Sequence, residues 1–234
     1  MPELKKLIAK LKRHYGEPSL PPAKGPFELV VWENCCYLLP DERRKEVFAG
    51  LKAQVGMDAQ RILSADREVL LALAQRGGMR PETRVFRWLE IARITIEQFG
   101  GNLDAILQGP QAAAKKALKQ FPTIGDPGAE KILLFSGAGE GLPLESNGCR
   151  VLLRMGFGRA QPKNYGAQYR SIQEAIAGHL PKGATALAQA HLLLRQHGKT
   201  LCKENGPDCG ACPVVEMCGY GMVQSNRPAP QNIR

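Results

Sequence analysis

The sequence predicts an all-α protein of roughly ten short helices, and three observations support this prediction. Apolar side chains recur at helical spacing along almost the whole chain. No segment alternates apolar and polar residues between hairpin turns, as half-buried strands would. The chain has 234 residues, of which 44% are hydrophobic. This length and composition fit one or two folded domains and exclude a disordered chain.

Local signals mark the starts of several predicted helices. Asp41 and Ser64 are predicted N-caps, and Pro81 opens a long helix. Asp126 and Pro127 are predicted to begin another helix as its N-cap and first residue. The predicted helices cover 3–15, 27–39, 41–54, 64–77, 81–100, 102–107, 111–121, 126–136, 146–156, 166–180 and 184–199.

The charge balance indicates a polyanionic partner. Lysine and arginine number 32 against 22 aspartates and glutamates, which gives a formal net charge of +10. Nucleic acid is the commonest polyanion, although a merely basic surface is the alternative. No apolar run approaches the ~18 residues of a membrane span, and the N-terminus lacks a secretory h-region. We therefore expect a cytoplasmic protein without membrane contact, associated with the nucleoid if it is prokaryotic.

Four of the seven cysteines lie within 17 residues near the C-terminus. Thiolates in such a cluster suit zinc or an iron–sulfur cluster. Structural zinc usually takes its ligands from two tight C-x2–4-C arms, whereas here only the central pair is that close. The spacing favours a cluster, with zinc and plain buried cysteines as alternatives. The four residues, separated by 6, 2 and 5 positions, are Cys202, Cys209, Cys212 and Cys218.

The sequence around these cysteines, HGKTLCKENGPDCGACPVVEMC, resembles the cluster loop of the endonuclease III-like helix-hairpin-helix (HhH-GPD) DNA glycosylases. The resemblance implies a [4Fe–4S] cluster that positions Lys199 and Lys203 toward DNA. It extends over about residues 26–220 and implies two helical domains with a DNA-binding cleft between them. The predicted domains are a helical module with the hairpin at 26–138, a cluster domain formed by 1–25 plus 139–220, and a disordered tail at 221–234.

A short glycine-containing turn, QFPTIGDP, separates two predicted helices. Backbone N–H groups in such a turn, together with a helix N-terminus, can hold a phosphate without reading the base, although most such turns only connect helices. The segment resembles the family's Leu-Pro-Gly-x-Gly hairpin. This implies DNA contacts from Pro122, Thr123, Ile124, Gly125 and the nearby Lys119. Thr123 replaces a glycine and fits poorly if that position needs a positive φ.

The lysine with which bifunctional family members form a Schiff base is missing. It follows the second hairpin glycine by two residues, and Pro127 stands at that position here. Pro127 has no amine, so strand cleavage through this position is excluded. Lys131 lies one turn further along the helix, where it either contacts DNA at the same site or is an ordinary surface lysine.

Two carboxylates are candidate catalytic residues. The segment LESN resembles the family's Val-Asp-Thr-His/Asn sequence, which puts Glu145 in place of the catalytic aspartate. An anion there would stabilise an oxocarbenium-like sugar or activate water, whereas the simpler interpretation is a helix-start acid. Ser146 is the predicted N-cap of the following helix. Glu33, in PFELVVWENCCYLLPDERR, resembles the glutamate that protonates the base in the adenine-removing branch; a wet helix edge is the alternative.

The resemblance also implies a residue that fills the gap left by the extruded base, here Leu38 or Tyr37. The complete prediction is a monomeric, monofunctional glycosylase of base excision repair acting on double-stranded DNA with a damaged or mismatched base. The alternatives are a non-catalytic DNA-binding homologue, and a glycosylase with lyase activity through another lysine.

Overall fold

The computed structural model describes residues 3–37 and 39–225, without the side chains of 224 and 225. These residues form helices, turns and loops and contain no strand, which confirms the all-α prediction. No helix among them is both long and apolar enough to cross a membrane. The α-helices are α1 (Leu4–Tyr15), α2 (Gly25–Glu33), α3 (Asp41–Gln54), α4 (Ala59–Ser64), α5 (Arg67–Arg76), α6 (Pro81–Phe99), α7 (Gln111–Leu118), α8 (Asp126–Phe135), α9 (Ser146–Arg154), α10 (Tyr165–Ile176), α11 (Ala184–Thr200) and α12 (Gly219–Ser225). Short 3₁₀ segments occur at Leu103–Gln108, Ala177–His179 and Val215–Met217.

The described chain divides into two compact units. One unit contains the described residues of Met1–Leu20 and Glu140–Arg234, so that α1 joins α9 to α12. The other unit, Pro21–Gly139, contains α2 to α8 and the turn between α7 and α8. The C-terminal tail begins later than predicted, because α12 continues to Ser225. Residues 226–234 lie outside the described part of the chain.

The helix predicted over 27–39 is shorter than its apolar spacing suggested. α2 ends at Glu33, and Asn34 leaves the helix with φ −98° and ψ 5°. The Asn34 N–H still reaches the Val31 carbonyl at 2.9 Å, and its side-chain amide donates to the Val30 carbonyl at 3.0 Å. Asn34 therefore ends the helix by capping carbonyls that would otherwise lack a donor.

Four predicted N-caps were wrong, namely Asp41, Ser64, Asp126 and Ser146. Asp41 is the first residue of α3, and Pro40 is its N-cap. Ser64 is the last residue of α4, and its hydroxyl donates to the Gln60 carbonyl at 3.0 Å. Asp58 and Asp66 cap α4 and α5 instead, each by accepting a backbone N–H in the first turn. At α8 the N-cap is Gly125, and Asp126 is the first helical residue. Sequence reasoning placed these starts wrongly because several capping residues lie close together in each segment.

A buried arginine organises the loop between α5 and α6. Arg84 is 4% exposed and lies in the first turns of α6. Its guanidinium donates to the carbonyls of Ala74 at 2.6 Å, Gly77 at 2.7 Å, Met79 at 3.2 Å and Gly78 at 3.3 Å. One side chain thus donates hydrogen bonds to the carbonyls at the C-terminus of α5 and fixes the loop in which Met79 is exposed.

We expect Arg84→Met to lower the free energy of unfolding by about 3 kcal/mol, because it leaves several buried carbonyls without a donor. Urea unfolding followed by circular dichroism measures this. The matched control is Arg93→Met on the same helix, where the exposed Arg93 pairs with Glu90 and Glu97 and its loss should cost much less stability than the loss of Arg84. Equal losses in the two variants would contradict a structural role for Arg84.

Candidate nucleic-acid and metal sites

The four clustered cysteines line one cavity. Its walls include apolar side chains from α9 and from the cysteine loop. All four thiols are free of disulfides. No three His, Cys, Asp or Glu side chains within the described ranges are grouped closely enough to hold a single metal ion. The cysteines lining the cavity are Cys202, Cys209, Cys212 and Cys218.

Hydrogen-bond donors surround these thiols. Arg154 Nη1 lies 3.3 Å from Cys202 Sγ, and the Gly221 N–H donates to Cys218 Sγ at 3.3 Å. Burial, with a smaller contribution from the neighbouring cysteines, raises the pKa of the Cys212 thiol to about 11. Thiolates in this cavity therefore need a positive group to compensate them, which is what bound metal supplies.

A buried histidine, which the sequence analysis did not select, lines the same cavity. His197 is 1% exposed, and its Nε2 lies 3.6 Å from Cys212 Sγ. The other ring nitrogen, Nδ1, lies 2.9 Å from the Tyr15 hydroxyl on α1. Burial lowers the pKa of His197 to about 4, so the ring is neutral at pH 7. The remaining cysteines, Cys35, Cys36 and Cys149, are buried elsewhere.

Glu145 begins α9 as its N-cap, in the place predicted for Ser146. Its Oε1 accepts the Gly148 N–H at 2.8 Å, and its Oε2 accepts Asn147 Nδ2 at 2.6 Å. The side chain is half-buried, and both carboxylate oxygens are held by donors. The geometry thus gives Glu145 the capping role of the simpler interpretation while fixing the carboxylate in place.

An aromatic residue missed by the sequence analysis lies near Glu145. The Tyr165 hydroxyl is 3.8 Å from Cys149 Sγ, and Tyr165 is 48% exposed. Burial of its hydroxyl raises the pKa of Tyr165, and the charges of Cys149 and Glu145 raise it further. Tyr165 therefore stays a neutral hydrogen-bond donor at physiological pH, with part of its ring open to solvent.

Arg150 joins the start of α9 to the cysteine loop. Its Nη2 donates to Asn147 Oδ1 at 2.7 Å and to the Gly198 carbonyl at 2.7 Å, and its Nε donates to the Cys202 carbonyl at 2.9 Å. Because Asn147 in turn holds Glu145, a continuous chain of hydrogen bonds links the carboxylate to the backbone of Cys202.

In the other unit, Glu33 forms an ion pair with a residue of α8. Its Oε2 lies 2.5 Å from Lys131 Nζ, and its Oε1 lies 3.7 Å from Arg44 Nη1. All three side chains are less than 20% exposed. The two cations favour the carboxylate form of Glu33, whereas a general acid must be protonated. The structure thus brings Glu33 and Lys131 together as an ion pair rather than as separate groups.

The hairpin between α7 and α8 has a positive φ at Thr123, a conformation that threonine adopts with difficulty. Thr123 adopts φ 65°, in the left-handed region that favours glycine. Thr123 and Gly125 are exposed, while Ile124 is 6% exposed and packs into the core, so Ile124 can offer DNA its backbone alone. Pro122 accepts a hydrogen bond from Asn34 through its carbonyl at 3.1 Å.

Acidic partners hold the lysines beside the hairpin. Lys119 Nζ lies 3.0 Å from Asp126 Oδ1, and Lys115 Nζ lies 3.3 Å from the same oxygen. Lys115 also pairs with Glu130 at 2.5 Å. These contacts, the Lys119 hydrogen bond first, hold the pKa of Asp126 below its usual value.

The remaining predicted DNA contacts lie on the surface of their own units. Lys199 and Lys203 are exposed at the end of α11 and the start of the cysteine loop. Tyr37 is 60% exposed, and Met79, which the sequence analysis did not select, is 68% exposed. Leu38 lies outside the described residues, so its gap-filling role stays a prediction.

Proteins of similar sequence are named as repair glycosylases. A Methanocaldococcus jannaschii protein named as a DNA repair glycosylase is 23% identical over 214 residues, which cover 91% of this chain and 94% of that protein. Endonuclease III of Sulfolobus acidocaldarius is 31% identical over 97 residues, covering 42% of this chain and 40% of that protein. No family model matches the chain.

Solved structures share the fold. An endonuclease III bound to DNA aligns with a TM-score of 0.74 at 15% identity, covering 96% of this chain and 97% of that one. A thermostable thymine-DNA glycosylase aligns with a TM-score of 0.74 at 17% identity, covering 94% and 97%. The relatives named as a DNA repair glycosylase and as endonuclease III, together with the fold shared with endonuclease III, are consistent with an endonuclease III-like helix-hairpin-helix glycosylase.

Proposed function

We propose that the protein is a DNA glycosylase of base excision repair that hydrolyses the N-glycosidic bond of a damaged or mismatched base. It acts as a monomer on double-stranded DNA and flips the target nucleotide out of the helix. The observation that carries this proposal is the carboxylate of Glu145, fixed by Gly148 and Asn147 beside the part-exposed ring of Tyr165. The sequence relatives named as glycosylases support the same reaction class.

The chemistry needs an anion near the anomeric carbon. Departure of the base leaves an oxocarbenium-like sugar, which a fixed carboxylate stabilises electrostatically or quenches by activating water. Two N–H donors hold the Glu145 carboxylate in position and limit its motion. The part-exposed ring of Tyr165 is available to stack on an extruded base, and its neutral hydroxyl can donate a hydrogen bond.

The Glu33–Lys131 ion pair limits both proton delivery by Glu33 and strand cleavage by Lys131. Since two cations stabilise the Glu33 carboxylate, protonation of the leaving base by Glu33 requires this pair to open first. The same carboxylate holds the Lys131 amino group in an ion pair, so attack on the sugar by Lys131 would also require this pair to open. Together with Pro127 at the usual lysine position, this supports a monofunctional enzyme with weak or absent lyase activity.

A non-catalytic DNA-binding protein is the second candidate. Its support is the capping role of Glu145, whose two oxygens are both occupied by donors within α9. In that case the carboxylate would stabilise the helix and leave the glycosidic bond intact.

The four cysteines fit a [4Fe–4S] cluster as resident cofactor. All four thiols line one cavity, the half-buried Arg154 and a backbone N–H reach two of the sulfurs, and thiolates are the ligands of such clusters. When bound, the cluster would supply positive charge to the buried thiolates and hold the loop that carries Lys203. Pro122, Thr123, Gly125, Lys119, Lys199 and Lys203 are the proposed phosphate contacts.

We expect Glu145→Gln to abolish base release while the fold is retained, because glutamine still accepts the Gly148 N–H but carries no charge. The assay incubates the protein with duplexes containing uracil, thymine glycol, hypoxanthine, 8-oxoguanine opposite A, or T opposite G, followed by alkali. The expected loss is about 100-fold or more. Asp58→Asn, the same chemical change at the N-cap of α4, is the control and should leave activity unchanged. No release by the wild type from any duplex would favour the non-catalytic candidate.

Borohydride trapping is expected to give no covalent complex, since Pro127 has no amine and the Lys131 amino group is paired with Glu33. The wild type and Lys131→Met are compared on a duplex with an abasic site. A trapped complex that disappears in Lys131→Met would contradict the monofunctional proposal and assign lyase activity to Lys131.

The purified protein is expected to contain about four iron atoms and four sulfides per chain, with visible charge-transfer absorption. Cys212→Ser should lose most of the iron, while Cys149→Ser, at a buried thiol outside the cavity, should keep it. Metal and sulfide analysis measures both. A colourless protein loaded with zinc would contradict the cluster.

We expect Asp126→Asn to tighten binding to undamaged duplex DNA. The change removes a negative charge at the start of α8 and frees Lys119 and Lys115 for phosphate. Fluorescence anisotropy at low salt should show about a three- to tenfold gain, with a salt slope steeper by about one counterion. Asp58→Asn changes the net charge equally at the N-cap of α4 and is the control. Equal gains in both variants would show a general charge effect without a phosphate site at the hairpin.

A further inference from the structure

The hairpin contains a strained residue, Thr123, whose backbone conformation is not stabilised by the sequence of the turn itself. Thr123 stands at φ 65° in an exposed turn. A β-branched side chain is disfavoured there, because its Cβ substituents crowd the neighbouring backbone. Within the described residues, Arg80 is the other non-glycine residue with a positive φ. Something outside the turn must therefore hold Thr123 in this conformation.

The side chain of Asn34 meets the hairpin at this point. Its Oδ1 accepts the Thr123 hydroxyl at 3.1 Å, and its Nδ2 donates to the Pro122 carbonyl at 3.1 Å. The second Nδ2 hydrogen bond goes to the Val30 carbonyl of α2 at 3.0 Å. Asn34 is 4% exposed, so these bonds form where water does not compete.

An asparagine is chemically suited to this position. Its amide offers two N–H donors to two carbonyls and one oxygen to a hydroxyl at the same time. Aspartate would place a negative charge against the Val30 and Pro122 carbonyls, and leucine would leave both without a donor. Threonine in turn supplies the hydroxyl that glycine lacks. The two residues, 89 positions apart, thus form a matched pair.

We propose that Asn34 is a positioning residue for DNA binding: its buried amide holds Thr123 in the left-handed conformation that presents the hairpin N–H groups to a phosphate. This inference rests on the proposed function in that it takes DNA as the hairpin's ligand. Asn34 directly follows Glu33, so the same clamp ties the end of α2 to the turn that leads into α8. Asn34 itself, being buried, acts through Thr123 and touches no phosphate.

The first test compares Thr123→Val with Thr123→Ser, because Thr123 is exposed and neither change endangers the fold. Valine keeps the β-branch and loses the hydroxyl, whereas serine keeps the hydroxyl. Anisotropy with an undamaged duplex is expected to show about a fivefold or larger loss for Thr123→Val and no more than about a twofold change for Thr123→Ser. Equal affinities of the two variants would overturn the clamp.

The second test is a rescue. Asn34→Leu keeps the number and branching of the side-chain heavy atoms and removes the hydrogen bonds, and is expected to weaken duplex binding about tenfold. Adding Thr123→Gly should restore most of that affinity, since glycine adopts a positive φ unaided. Urea unfolding of all three variants separates this from stability, because a purely structural Asn34 would lower stability without any rescue of binding. A double variant that binds no better than Asn34→Leu would overturn the proposal.

These outcomes are independent of catalysis, because the duplex carries no lesion. A wild type that binds duplex DNA and shows the valine–serine difference but releases no base would overturn the proposed glycosylase alone. A wild type that releases a damaged base while Thr123→Val binds as Thr123→Ser does would overturn the clamp alone.

Discussion

The guanidinium of Arg150 is the interaction on which the cysteine-containing unit depends most. It reaches three groups from one position on α9: the Asn147 side chain, the end of α11 at Gly198 and the Cys202 carbonyl. Hydrogen bonds to a charged group contribute about 1.5–3 kcal/mol each, so this one side chain outweighs many surface contacts. Arg154, one turn further on, makes the same kind of contact with the Lys203 carbonyl at 2.7 Å. Without these two arginines the cysteine loop would lose its anchor to α9.

The presence of glutamate at position 145, where the resemblance implies an aspartate, has a local explanation. A helix N-cap must reach the N–H groups of the second or third helical residue, and Glu145 does so by accepting the Gly148 N–H. The extra methylene lets the carboxylate bend back over the first turn, where Asn147 holds its second oxygen. Position 148 is a buried glycine, and a Cβ there would lie 3.4 Å from Leu144 and 3.8 Å from Glu145 Oε1. The longer acid and the glycine thus fit together in one turn.

Sequence patterns predicted the parts of the fold that depend on neighbouring residues. Helical spacing, proline starts and the compact cysteine loop are local features, and most helices lie where those features put them. The parts that escaped prediction depend on contacts between distant residues. Asn34 meets Pro122 across 88 positions, and Arg150 meets Cys202 across 52. The end of α2 was predicted too late for the same reason. The apolar spacing continues past Glu33, but the Asn34 side chain forms hydrogen bonds with the hairpin.

Lysines at the hairpin are paired with acidic residues, so the hairpin carries less unpaired positive charge than the net charge of +10 suggests. Lys119 and Lys115 form ion pairs with Asp126, and Lys131 forms an ion pair with Glu33. Exposed ion pairs contribute about 0–1 kcal/mol, so exchanging Asp126 for a phosphate costs these lysines little. The Glu33–Lys131 pair is mostly buried, and opening it would leave two poorly solvated charges. Lys119 and Lys115 can therefore exchange Asp126 for a DNA phosphate at little cost, whereas Lys131 remains paired with Glu33.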